Sequence, residues 1–196
     1  AAFDDLARTA PAGADGLTFL PALTGAMAPE WHAGARGCFY GLTPSHGAAH
    51  LARALLEGCA FAMRDVADRL TALGVETQSL LLLGGGARSR VWPQMRADVL
   101  GLPADVTSRV DTSPVGAAML AAVAAGAVDN LQSASGLAGD AAARLQPATA
   151  TRGAYANAYG RYRQLFDSLR PMFEAPKPAL ARAQGRRFTS KEASVH

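Results

Sequence analysis

The chain has 196 residues, 49% of them hydrophobic and 18% charged, which suits one packed domain or one lobe of a larger enzyme and argues against a disordered chain. Two cysteines exclude a disulfide framework and a metal cluster, and no apolar run approaches the roughly 20 residues of a membrane span. The formal charge of +3 is uneven: from Lys177 onward five Lys/Arg face one Glu, net +4, leaving −1 for the rest, so no nucleic-acid surface is expected.

Residues 1 to 16 are rich in Ala, Gly and Asp and are expected to be poorly ordered, with little to bury. LTFLPALTG (17 to 25) is apolar and broken by Pro21 and Gly25, hence extended and then turned. GCFYGL (37 to 42) predicts a short strand. Thr43 and Pro44 offer an N-cap and a first helical position, and Leu51, Leu55, Ala62, Val66 and Leu73 then recur at helical spacing until Gly74. Residues 79 to 83, Ser-Leu-Leu-Leu-Leu, predict a fully apolar strand of the kind buried in a parallel sheet.

Past GGGAR, Ser89 can cap a helix bearing Trp92, Met95 and Val99 on one face. Leu102 to Thr107 is short and β-prone. Ser113 and Pro114 open a helix, GAAMLAAVAAG, that Gly126 ends. Tyr155, Tyr159, Tyr162, Phe166, Leu169 and Phe173 mark a final helix, their spacing pointing to core rather than to a base-stacking platform. Strands alternating with helices predict an α/β layer architecture over 17 to 173, and 174 to 196 is expected to be a basic, disordered tail. With no basic leader before an apolar segment, a soluble cytoplasmic protein is expected.

The chemistry concentrates at the end of the apolar strand. Gly84, Gly85 and Gly86 remove side chains where backbone can approach a ligand, and they allow positive φ. Ser89 adds a hydroxyl beside a helix N-terminus, whose dipole favours an anion. Nucleotide or phosphate binding is the better reading than a plain strand-to-helix turn. The stretch lacks the Lys-Ser/Thr of a Walker loop, and GGGARS is not GxGxxG, so neither of those nucleotide folds is indicated.

Other candidates read as structure. Cys38 and Cys59 look like small buried hydrophobes, and His50 like a capping or packing histidine rather than a catalyst. Arg64, Asp65, Asp68 and Arg69 form i,i+4 opposite-charge pairs expected on a solvated helix face. Gly116, Ala117 and Ala118 leave one helix face almost bare of side chain, which composition alone assigns to a tight core helix.

Taken in order, FLPALTG, then Pro29 and Trp31, then ARGCFYGLTPSHGAAHLARALLEG, GGGARSRVW, DTSPVGAAMLAA and the Tyr-rich final helix resemble the FGGY carbohydrate kinases, which include xylulose, ribulose, gluconate and glycerol kinases. GGGARSRVW is most similar to the xylulose kinase branch. The resemblance implies a ribonuclease-H-like lobe of the actin/hexokinase ATPase fold, a mixed sheet flanked by helices, here the C-terminal lobe of a two-lobe kinase. It implies that Gly84, Gly85, Gly86, Ala87 and Ser89 embrace the adenosine and nearest phosphate of ATP, and that Gly116, Ala117 and Ala118 lie at the interlobe hinge.

Asp111 stands where the family often has Glu, and TGAMAPEWHA replaces a common SGERTPHWDP, putting Ala26, Met27 and His32 at the Glu, Arg and Asp of that pattern. The resemblance further implies that the catalytic Asp, the first phosphate loop and most of the sugar site belong to a lobe preceding this segment. The intact reaction would transfer the γ-phosphate of Mg²⁺-bound ATP to a ketopentose such as D-xylulose, and this chain alone is expected to be inactive. Kinases of another sugar or polyol, and a non-catalytic nucleotide-binding module, are the alternative readings. A face left bare by the missing lobe would lead to self-association, a homodimer included.

Overall fold

The computed structural model describes residues 2–107, 112–135 and 142–174. In chain order these form α1 (Ala2–Arg8), β1 (Thr18–Leu20), β2 (Cys38–Tyr40), α2 (Ala48–Ala72), β3 (Leu80–Leu82), α3 (Trp92–Leu100), β4 (Ala104–Val106), α4 (Thr112–Ala124), α5 (Leu131–Ser135), β5 (Ala143–Leu145) and α6 (Arg152–Glu174). β1 and β2 make an antiparallel ribbon with Phe19 opposite Phe39. In the second sheet β3 runs parallel to β4, and β5 joins β4 antiparallel. The predicted strands and long helices all appear; α5 and β5 carry no sequence signal long enough to have been anticipated.

The 25-residue α2 is the axis of the molecule. It begins at Ala48 rather than at Pro44, because Thr43 closes a turn of its own: its N–H donates to His46 Nδ1 at 2.9 Å. His50 is the cap, as its position suggests, with Gly47 N–H donating to its Nδ1 at 3.1 Å while Nε2 meets Asp15 Oδ2 at 3.1 Å. One face of α2 lies on β1 so closely that a Cβ at Gly58 would come within 2.2 Å of the Phe19 carbonyl oxygen. One turn further along the same side, Phe61 sits among Tyr155, Tyr159 and Tyr162 of α6. Burying Phe61 contributes about 1.5–3 kcal/mol.

Three expectations need correction. Residues 1 to 16 are not poorly ordered: α1 packs on α2, with Ala7 and Ala14 fully buried and Ala10 nearly so. Alanines bury little area each, but they let backbones approach closely, which composition does not reveal. Asp65 is not on a solvated face either. It is only 4% exposed and pairs with Arg163 of α6. Arg64 lies over the Tyr159 ring at 4.3 Å and donates to the Val99 carbonyl at 3.2 Å, while Tyr159 donates to Asp68 at 2.7 Å. Arg64 and Asp65 thus serve contacts of α2 with α3 and α6, while Asp68 and Arg69 stay exposed and the expected Arg64–Asp68 pair forms at 3.9 Å.

The third correction concerns β3. Leu82 is buried against Ala87, Ala97 and Ala104, yet Leu81 is 64% and Leu83 47% exposed. Helices of the described chain cover this sheet on one face at β3, so its apolar run, written for burial on both sides, keeps one side bare.

Candidate nucleotide site

The site begins where β3 ends. Gly84 has φ +73, a conformation that costs a residue with Cβ on the order of 1 kcal/mol or more. Residues Gly85–Arg88 make a single tight turn, and Ser89 is extended before α3 starts. The Ser89 hydroxyl oxygen accepts from the N–H groups of Val91 (3.3 Å) and Trp92 (3.0 Å), so it caps the first helical N–H from three residues ahead of Trp92, where the helix starts.

Each of the three glycines meets a different requirement. At Gly84 it is positive φ. At Gly85 a Cβ would meet nothing within 4 Å and φ is ordinary, so the backbone there is open to an incoming group. At Gly86 a Cβ would come within 3.0 Å of Trp92 Cζ3 and 3.2 Å of Arg96 Nη2, so that glycine seats the loop on a side-chain stack. Ala87 turns inward and is buried beneath the loop.

An acidic anchor that the sequence reading missed holds the far side. Ser89 donates to Asp4 Oδ1 at 2.8 Å, and Arg90 N–H donates to Asp4 Oδ2 at 2.8 Å. Burial works upward on the Asp4 carboxyl, but the Arg90 N–H and the Ser89 hydroxyl outweigh it and hold it below the usual carboxylate range. The anchor is therefore complete above the ordinary Asp range and is lost as pH falls through the lowered folded-state value. In NMR titration the Arg90 amide shift should move with a midpoint below that of an ordinary Asp, and should stay flat in Asp4→Ala. A midpoint at or above the ordinary range would show that Asp4 does not hold the loop.

The second predicted group stands apart. Gly116, Ala117 and Ala118 lie in the first half of α4, which packs on α5 and has no buried residue. A Cβ at Gly116 would meet nothing within 4 Å, so α4 is not the tight core helix that composition favoured. Among the described residues nothing covers its small-residue face. Asp111 lies outside the described residues. Among the described residues no three His, Cys, Asp or Glu side chains are grouped to hold a metal, and no helix is long and apolar enough to cross a membrane.

Comparison with known proteins places this arrangement. Residues 1–125 match the FGGY family of carbohydrate kinases, C-terminal domain. The chain is 45% identical over 120 residues to a xylulose kinase of Escherichia coli, covering 61% of this chain and 25% of that protein. It is 43% identical over 112 residues to a glycerol kinase of Gloeobacter violaceus, covering 57% and 22%. The crystal structure of ligand-bound xylulose kinase from Lactobacillus acidophilus superposes with a TM-score of 0.77 at 31% identity, over 87% of this chain and 35% of that one. The chain thus spans about a quarter of the length of the curated relatives it matches. The family match also takes in α1, so the N-terminal residues belong to the domain rather than preceding it. With the strand, glycine turn and capped helix in this order, the chain belongs to the FGGY family of carbohydrate kinases as a C-terminal domain of the actin/hexokinase-type fold.

Proposed function

We propose that this chain is the nucleotide-holding lobe of an ATP-dependent carbohydrate kinase, with a ketopentose such as D-xylulose as the acceptor. The observation that carries the reading is the open backbone at Gly85, set between a strand end and the N-terminus of a nine-residue helix. A polyanion there meets backbone N–H groups and a favourable dipole, and no side chain obstructs it. Gly84, Gly85, Gly86 and Ala87 embrace the adenosine and nearest phosphate, with Ser89 keeping the loop on its anchor. Mg²⁺ in this reading travels on the phosphates of ATP, as it commonly does where protein ligands are few. The bare face of α4, at Gly116, Ala117 and Ala118, meets the lobe that carries the catalytic base.

Phosphoryl transfer is chiefly positioning and charge neutralisation, with a base orienting the acceptor hydroxyl. This chain supplies the first of these at the adenosine end and leaves the base to its partner lobe in a soluble, cytoplasmic enzyme. ADP release measured with a panel of ketoses and polyols should therefore be absent for the chain alone. It should appear, with xylulose preferred, when a family N-terminal lobe is supplied. Turnover by the chain alone that vanishes in a glycine-loop variant would overturn the division of labour. A preference for glycerol or gluconate would overturn the ketopentose assignment.

A further inference from the structure

We propose that Arg96 is a nucleotide-phosphate-recognising residue of the glycine loop, an inference that rests on reading that loop as the ATP site. Arg96 lies on α3, one turn beyond Trp92. Its guanidinium carbon sits 3.7 Å from the centre of the Trp92 ring, and the ring is pinned by its Nε1–H donating to the Leu56 carbonyl at 3.1 Å. Gly86 passes directly over this stack. A Cβ there would crowd the stack, approaching Trp92 Cζ3 to 3.0 Å and Arg96 Nη2 to 3.2 Å. The cation is thus held against the loop, one residue from the open position at Gly85.

Arg96 is half-buried, and among the described residues no oxygen accepts a hydrogen bond from its guanidinium and no carboxylate pairs with it. That sets it apart from Arg53, Arg64, Arg163 and Arg170, whose guanidinium groups all meet acceptors. Asp4, the nearby anchor of the loop, is taken by Ser89 and Arg90. Cys59 on α2 is the titratable group that bears on Arg96, and burial pushes its thiol up, which keeps it neutral. Burial also pulls the Arg96 guanidinium down from its ordinary value.

Among the described residues the Arg96 guanidinium has no protein acceptor and its nitrogens reach solvent, so its N–H groups are available to an arriving anion. Stacking on Trp92 holds the cation in place but supplies no hydrogen-bond acceptor. A phosphate on the loop supplies what is lacking. It accepts from the planar fork of N–H donors and neutralises the charge, which arginine does better than lysine. Arg96 would act on the phosphates and not on the nucleoside.

Calorimetric titration with ADP and with adenosine tests this, using the wild-type chain, Arg96→Met, Arg96→Lys and Gly85→Val. Arg96→Met should weaken ADP by about tenfold while leaving adenosine within about twofold. Arg96→Lys, which keeps charge and stem, should fall between, and it provides the comparison if the Met variant does not fold. Equal losses for both ligands, or no loss for either, would overturn the proposal, since a packing role moves ADP and adenosine together. If Gly85→Val leaves ADP binding intact while Arg96→Met selectively weakens it, Arg96 meets the phosphates at a site other than the glycine loop, and the proposal as stated is overturned together with the loop reading. Should neither substitution matter, both fall.

Discussion

Replacing Gly85 by Val lowers ATP affinity at least roughly tenfold, about 1.4 kcal/mol, without unfolding the chain. The reason lies in the different demands on the three glycines. A side chain at Gly84 is strained by its φ of +73, and one at Gly86 crowds Trp92 and Arg96, so changes there disturb the loop itself. Gly85 has neither constraint, and a Cβ there meets nothing of this chain within 4 Å. A branched side chain at Gly85 therefore projects into the space an approaching nucleotide would fill. Isothermal titration reads the affinity, and a thermal melt within about 2 °C of wild type confirms the fold. Unchanged ATP binding in the folded variant would mean that the nucleotide sits elsewhere and that Gly85 is a plain turn residue.

Loss of Glu57 is expected to be the most destabilising single truncation in the α2 core. Its carboxylate, 1% exposed, accepts from Arg53 Nε at 2.8 Å and from the Gly13 N–H at 3.0 Å. Arg53 also donates to the Ala10 carbonyl at 3.0 Å and to the Tyr155 hydroxyl at 2.7 Å, so one ion pair ties α2 to the N-terminal loop and to α6. Burial pushes the Glu57 carboxyl up, and Arg53 and the Gly13 N–H oppose it. Burial likewise pushes the Tyr155 hydroxyl up to about 12, keeping it neutral beside the pair.

Glu57→Ala leaves a guanidinium largely out of water without its counter-charge and the Gly13 N–H without its acceptor. Breaking a buried pair in this way costs about 3–5 kcal/mol. For a chain of this length that corresponds to a drop in Tm of roughly 10 °C. Removing both charges with Glu57→Leu and Arg53→Met should recover much of the loss, since apolar replacement of a buried pair is often near neutral. A Tm change below about 2 °C in Glu57→Ala would show that water reaches the pair and that the clamp is not structural.

The amino-acid pattern alone determined the order of the main elements, the glycine turn between β3 and α3, and the cap at Ser89. These are local matters: periodicity, breakers and short-range hydrogen bonds are written in neighbouring residues. It also carried the resemblance that the family match then established over residues 1–125. What it could not decide depended on contacts between residues far apart in the chain. The three glycines look alike until φ, open space and the Trp92–Arg96 stack separate them. Asp4 reads as a residue of a featureless N-terminus until folding brings it 2.8 Å from Ser89, 85 positions away. Asp65 reads as one partner of a surface pair until α6 brings Arg163 to it across 98 positions. The run from Leu80 to Leu83 is apolar enough for burial on both faces, yet only the arrangement of the helices decides that Leu82 is covered and Leu81 is not. Hydrophobicity states that a residue favours burial; which neighbour covers it is settled by the packing of whole elements.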